Sequence, residues 1–146
     1  MTCAEIIARV DNLEPNQYGS AQKLEWLSNL DSVILDECIM THNEAGTSHA
    51  SRASGWATNG CMINSGDCPP PPYRSVDCTL LVPDRYGVEL YSSYLQMMIA
   101  KENSERARFN DERNIYLTKL QEFYDWYNRT HRPLTGYGKT ENRLKF

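Results

Sequence analysis

A chain of 146 residues is long enough for one domain with its own core, since folding at that size buries about 68–70% of the extended chain's surface. With 40% hydrophobic and 23% charged residues, it lies far from disordered or collagen-like compositions. A formal net charge of −4 argues against a non-specific nucleic-acid binder, yet residues 129–146 reverse the sign: Arg129, Arg132, Lys139, Arg143 and Lys145 against Glu141 give +4, leaving −8 for residues 1–128.

Thr2 followed by Glu5 is a capping box, and the helix it opens carries Ile6, Ile7, Val10 and Leu13 on one face until Pro15 stops it. Glu5, Arg9 and Asp11 fall where a secretory signal needs an unbroken apolar run. No stretch approaches the roughly eighteen apolar residues of a membrane span, so a cytosolic chain with no membrane partner is expected. Five cysteines, an odd number, then argue for thiols rather than a disulfide framework, with oxidation in a particle released from the cell left open.

A second helix is predicted from about Ser20 to about His42, with Leu24, Leu27, Leu30, Ile34 and Cys38 at helical spacing and Trp26 and Val33 widening the stripe. Asp31 projects into that apolar arc, where a carboxylate must be paired, hydrogen-bonded or at the edge of the buried surface. A satisfied structural Asp is the plain reading and a functional carboxylate the sharper one; no second acidic residue stands out as a catalytic partner.

From about Glu44 to Asp77 the helical period vanishes, and Pro69, Pro70, Pro71 and Pro72 favour polyproline II and forbid helix. A loop of this length is expected to reach outward, toward a neighbouring subunit or into solvent. Trp56, Pro70 and Tyr73 are its candidate partner-binding residues, with Trp56 open between an anchor in a partner's pocket and a ring folded back on its own helices. Cys61, Cys68 and Cys78, with His42 and His49, are zinc-type ligands, but the cysteines are separated by six and nine residues where structural knuckles use about two to four. No metal and no cofactor are therefore expected.

Cys78 to Val82 is a short apolar run ended by Pro83, an edge strand or an extended strap. Asp84 is placed to cap a third helix, from about Tyr86 to Asn103, with Leu90, Tyr91, Tyr94, Leu95 and Met98 on one face. A fourth, from about Glu105 to Thr130, aligns Phe109, Tyr116, Leu120, Phe123, Tyr124 and Tyr127. Pro133 ends the pattern, and Gly136 and Gly138 leave the rest flexible or extended.

These elements predict a mostly α fold: a four-helix bundle-like domain in two antiparallel pairs over residues 1–132, with a long irregular loop at 44–77 between helices 2 and 3, and an extended C-terminal tail at 133–146. The chain holds no phosphate-cradling glycine motif, nucleophile elbow or zinc-protease signature. Most of its nine Tyr and three Trp fall on the helical stripes, where packing is their use. A non-enzymatic role is expected.

Two blocks carry a family resemblance. The first is Pro15-Asn16-Gln17-Tyr18 followed by Lys23-Leu24-Glu25-Trp26-Leu27-Ser28-Asn29-Leu30-Asp31. The second runs from Leu80-Leu81-Val82-Pro83 through Leu90-Tyr91 and Tyr94-Leu95 to Arg108-Phe109-Asn110 and Tyr127-Asn128-Arg129-Thr130-His131-Arg132-Pro133. Over roughly its helical two-thirds the chain resembles the small head-to-tail connector proteins of long-tailed siphophages, also called adaptor or head-completion proteins, and is similar to prophage proteins of Gram-positive gut bacteria. Residues 44–77 lie outside the resemblance, because related chains have a shorter connection there.

The resemblance implies a helical virion subunit that forms a twelve-membered ring with copies of itself beneath the portal protein. Such a ring bridges the head to stopper or tail-completion proteins in the neck, lets DNA pass without sequence-specific binding, and has no catalytic role. It also implies docking on the portal by a terminal segment. Here that segment supplies Arg132, Pro133, Leu134, Tyr137, Lys139, Arg143, Leu144, Lys145 and Phe146, with Tyr137, Leu144 and Phe146 as apolar anchors. An acidic body would suit a channel wall past which DNA slides without sticking. The alternative, from another class, is a small non-catalytic scaffolding module whose Pro-rich loop recruits an aromatic-grooved domain.

Overall fold

The structure, a computed structural model, describes residues 1–39, 42–43, 71–130 and 132–133. Four helices make up most of it: α1 (Cys3–Leu13), α2 (Ser20–Glu37), α3 (Asp84–Glu102) and α4 (Arg106–Thr130). Two short strands, β1 (His42–Asn43) and β2 (Arg132–Pro133), pair antiparallel, with His42 opposite Pro133 and Asn43 opposite Arg132. This is the mostly helical, bundle-like domain that the hydrophobic patterns predict.

Thr2 opens α1 as expected, its Oγ1 accepting the Glu5 amide proton at 3.3 Å, and Ile6, Ile7 and Val10 are buried. Leu13, predicted on the same face, is 58% exposed, where the last turn overhangs the core. In α2 the stripe Leu27, Leu30, Ile34 is buried with Trp26, whereas Val33 points away and is 47% exposed. The helix stops at Glu37 rather than near His42: the Cys38 amide makes its last bond, to the Ile34 carbonyl at 3.0 Å, and His42–Asn43 are extended to pair with β2. Strand pairing here overrides a helical pattern that the side chains alone would continue.

The centre of the fold is α3. It packs on α1 and α2 and most extensively on α4, so it is buried on nearly every side, through Leu90, Tyr91, Leu95, Met97, Ile99 and Ala100. Its first residue is Asp84 and its cap position is Pro83, one residue earlier than predicted. Gly87 allows the close approach of the segment before the helix: a Cβ there would sit 3.0 Å from the Val82 carbonyl oxygen and 3.2 Å from the Tyr91 ring.

The turn between α3 and α4 is a Schellman motif. The Glu105 amide bonds the Ala100 carbonyl at 2.9 Å and the Ser104 amide bonds the Lys101 carbonyl at 3.2 Å, with Ser104 in the left-handed region at φ 61°. The reversal lays α4 antiparallel on α3, with Tyr94 against Tyr116 at 5.2 Å between ring centroids and Tyr86 against Phe123 at 6.4 Å. Phe123 also meets Tyr127 at 5.8 Å and Trp126 at 6.0 Å, so one aromatic cluster joins the start of α3 to the end of α4. Burying the Phe123 ring contributes roughly 1.5–3 kcal/mol, and each ring contact adds about 0.5–1.5 kcal/mol.

The left-handed position after α3 is one that glycine adopts without strain and serine does not. Ser104→Gly is therefore expected to raise stability by about 0.5–1 kcal/mol, seen as a higher urea midpoint at unchanged slope.

Candidate functional site

Residues 71–83 form a strap laid across the body. It begins in a bend at Pro71 and Pro72, whose shared peptide is cis, and Pro69 and Pro70 lie outside the described residues. Its backbone is then held to the start of α1: the Ala4 amide bonds the Val76 carbonyl at 2.8 Å, the Cys3 amide the Cys78 carbonyl at 3.0 Å, and the Leu80 amide the Met1 carbonyl at 2.9 Å. Leu80, Leu81 and Val82 are buried as an extended strap, with a single bridge between Thr2 and Thr79. Residues 71–77, expected as part of an outward-reaching loop, thus return to the body instead.

Tyr73 requires the main correction. Predicted as a partner-binding loop residue, it is 6% exposed and packed in the core, because its hydroxyl and amide both find acceptors on α2. Its backbone N–H donates to Ser28 Oγ at 3.0 Å, and its hydroxyl donates to Asp31 Oδ2. Ser28 and Asp31 stand three residues apart on one face of α2, so one helical turn holds both ends of the tyrosine.

Asp31 is fully buried and accepts three hydrogen bonds. Tyr73 donates to Oδ2, the Leu81 amide donates to Oδ2 at 3.1 Å, and the Tyr91 hydroxyl of α3 donates to Oδ1. Tyr91 is itself fixed by accepting the Val82 amide proton at 3.1 Å. Burial pushes the Asp31 carboxyl up to about 6, against the pull of these three donors, which favour its charged form. Burial first, and the carboxylate's charge second, hold both tyrosines protonated as donors.

This is a clamp: the carboxylate is sealed from solvent and accepts from all three of its partners. It confirms the plain reading of Asp31 as a satisfied structural residue. The partners were not legible, since they lie 42, 50 and 60 residues away along the chain. Tyr91 was placed on the apolar stripe of its helix, and only the need of a buried hydroxyl for a partner could have linked it to Asp31.

Other polar ties brace the periphery. Lys23, only 1% exposed, donates to Asp11 and joins α2 to α1. Arg108 pairs with Glu14 and Glu105, and Gln17 and Tyr18 both donate to Asn103 Oδ1 at 2.9 Å beside the Schellman turn. None of these pairs follows a short-range spacing except Arg108 with Glu105.

Among the described residues, α4 leaves much of its surface open. Among its 25 residues only Phe123 and Tyr127 are fully buried, and Ile115 and Leu117 are 44% and 40% exposed. Shallow grooves flank them, one lined by Glu89, Asn114, Ile115, Thr118 and Lys119, the other by Leu117, Thr118, Gln121, Glu122 and Asp125. Ile115 and Leu117 lie off the predicted stripe, beside Tyr116, and that displacement was the available signal for them.

Most of the remaining expected site residues lie outside the described residues. Trp56 and Pro70, and the tail residues Leu134, Tyr137, Lys139, Arg143, Leu144, Lys145 and Phe146, lie outside the described residues, and Arg132 and Pro133 are described as backbone in β2. Of the zinc-type residues, Cys78 is buried in the strap and Cys61, Cys68 and His49 lie outside the described residues. Among the described residues no group of three His, Cys, Asp or Glu side chains could hold a metal ion, and no helix is long and apolar enough to cross a membrane. No family model, curated protein or solved structure matches the chain.

Removing the carboxylate would strand two tyrosine hydroxyls and the Leu81 amide, so Asp31→Ala is expected to cost on the order of 3–5 kcal/mol in urea unfolding. The pH dependence follows from the raised carboxyl, which binds its proton more tightly folded, at about 6, than unfolded, near 3.8. Its contribution to stability is complete below about pH 4 and is lost as the pH rises through 6. Relative to Asp31→Asn, which cannot titrate, the native chain is expected to lose about 2.4 kcal/mol between pH 4 and pH 7, read by urea unfolding of both at each pH.

Proposed function

We propose that the chain is a non-enzymatic structural subunit of a phage virion: a head-to-tail adaptor that forms a ring of identical copies in the neck, between the portal protein and the stopper or tail-completion proteins. The supporting observation is the condition of α4, a 25-residue helix anchored by α3 along one stripe, with Ile115 and Leu117 exposed on the two flanks of that stripe. A subunit in a ring covers such a face with the next copy, through a head-to-tail contact that closes on itself. The rest of the body is pinned by the Asp31 clamp, so the contact face is offered by a rigid scaffold.

Charge supports the same reading. The −8 of residues 1–128 suits a channel lining that repels DNA, and the +4 of residues 129–146 suits docking on an acidic portal surface. Size-exclusion chromatography with light scattering tests the proposal, on the 16.8 kDa chain alone and mixed with portal rings. The expected outcome is a ring-sized assembly, near twelve copies, or stable co-elution with the portal. A monomer that ignores the portal would contradict it and favour the scaffolding module.

Two variants separate the contacts. Ile115→Lys with Leu117→Glu is expected to lower the assembly's mass while changing unfolding stability by no more than about 0.5 kcal/mol, as exposed substitutions do. Deletion of residues 134–146 is expected to abolish portal co-elution and leave the helical circular dichroism unchanged; retained binding would remove the tail from the docking surface.

A further inference from the structure

Two thiols meet where the strap crosses the start of α1. Thr2 and Thr79 form an antiparallel bridge, flanked by the bond from the Cys3 amide to the Cys78 carbonyl at 3.0 Å and that from the Leu80 amide to the Met1 carbonyl at 2.9 Å. In this register Cys3 lies directly across from Cys78, one step beyond the bridge. Cys3 is the first residue of α1 and Cys78 stands in the bend before Thr79, and both side chains belong to the buried core. Burial agrees: Thr2 and Thr79 are half-buried, whereas Cys3 is 0% and Cys78 8% exposed.

The bond from the Cys3 amide to the Cys78 carbonyl brings the two backbones into direct contact at this point, while the Cys78 amide turns back to the Ser75 carbonyl at 3.3 Å. Disulfides span roughly 4.4–6.8 Å between Cα atoms. Both thiols lie near enough to the Tyr73 hydroxyl to oppose its ionisation. In the structure both cysteines are reduced.

We infer that Cys3 and Cys78 are a redox pair, converted by a small-molecule disulfide such as oxidised glutathione into a disulfide that fastens the strap to the start of α1. The Cys78 thiol, 8% exposed against 0% for Cys3, gives up its proton as its sulfur attacks one sulfur of oxidised glutathione. The glutathione sulfur–sulfur bond breaks, a mixed disulfide forms, and one glutathione leaves as thiolate and takes up a proton. The deprotonated Cys3 then attacks the Cys78 sulfur and expels the second glutathione. Two cysteine thiols are oxidised by two electrons and one oxidised glutathione is reduced to two thiols.

Cys38 is a built-in contrast. It stands at the C-terminal cap of α2 and not where the strap crosses the start of α1. The new bond would close a long loop between positions 3 and 78, the class of cross-link that most restricts the unfolded chain. It would also lock the segment that carries Tyr73 and Leu81 onto the body, and so protect the Asp31 clamp from strap opening. None of this depends on the role proposed for the assembled protein.

The test is to incubate the folded, full-length chain with oxidised glutathione, alkylate the remaining thiols, digest with trypsin without reduction, and identify the joined peptides by mass. The expected product joins the peptide of residues 1–9 to that of residues 75–85, with Cys38 alkylated. Oxidised protein is expected to melt roughly 10 °C above reduced protein, a difference that Cys3→Ala loses and Cys38→Ala keeps. Cys78 joined instead to the peptide carrying Cys61 and Cys68, or Cys3 and Cys78 both recovered alkylated, would overturn the pairing.

Discussion

A single carboxylate sets the arrangement of this protein. Asp31 gathers α2, the strap and the central helix α3 at one buried point, through the hydroxyls of Tyr73 and Tyr91 and the amide of Leu81. Apolar packing alone would bury the strap in several registers, because Leu80, Leu81 and Val82 are all apolar and all buried. The carboxylate discriminates among them: a slip of one residue would turn the side chains over and leave a buried acceptor short of donors. Specificity of this kind is obtained at a cost in solvation, which is visible in the raised carboxyl.

Around that point the molecule is layered by how much each helix is covered. α3 is enclosed by the others, α1 and α2 are covered on the faces that their stripes predict, and α4 is covered on one side only. A helix of 25 residues that rests on one neighbour is a natural contact element, since its inner stripe holds it in place and its outer side remains available. The Schellman turn and the aromatic cluster at its two ends fix its direction, so the outer residues are presented in a defined geometry. The inner side of the hairpin carries its stability, and the assembly proposed above would use the rest of α4.

Much of this was legible in the amino-acid pattern, for a physical reason: helical spacing reports which side of a helix is buried. The capping box at Thr2, the stripe of α2 and the aromatic stripe of α4 all appear where their periodicity places them. Errors arise where a non-local interaction overrules local preference. The pairing of His42–Asn43 with Arg132–Pro133 ends α2 early, and the Schellman turn has serine where the usual glycine signal would stand. Tyr73 was misread because its neighbours have loop composition, while its position is decided by an acceptor 42 residues earlier. The portal docking proposed for the tail rests on sequence and charge, since its side chains lie outside the described residues.

The ionisation of Asp31 is the most direct observable of the clamp, and it can be read at the atom itself. Carbon-13 labelling of aspartate carboxyls, followed by NMR titration of the folded chain and assignment through Asp31→Asn, yields its midpoint directly. A midpoint near 6 is the result expected of a carboxylate sealed beneath the strap and held by three donors. A midpoint near 3.8, the value of an open aspartate, would mean that water reaches Asp31 and that the strap is not closed over it.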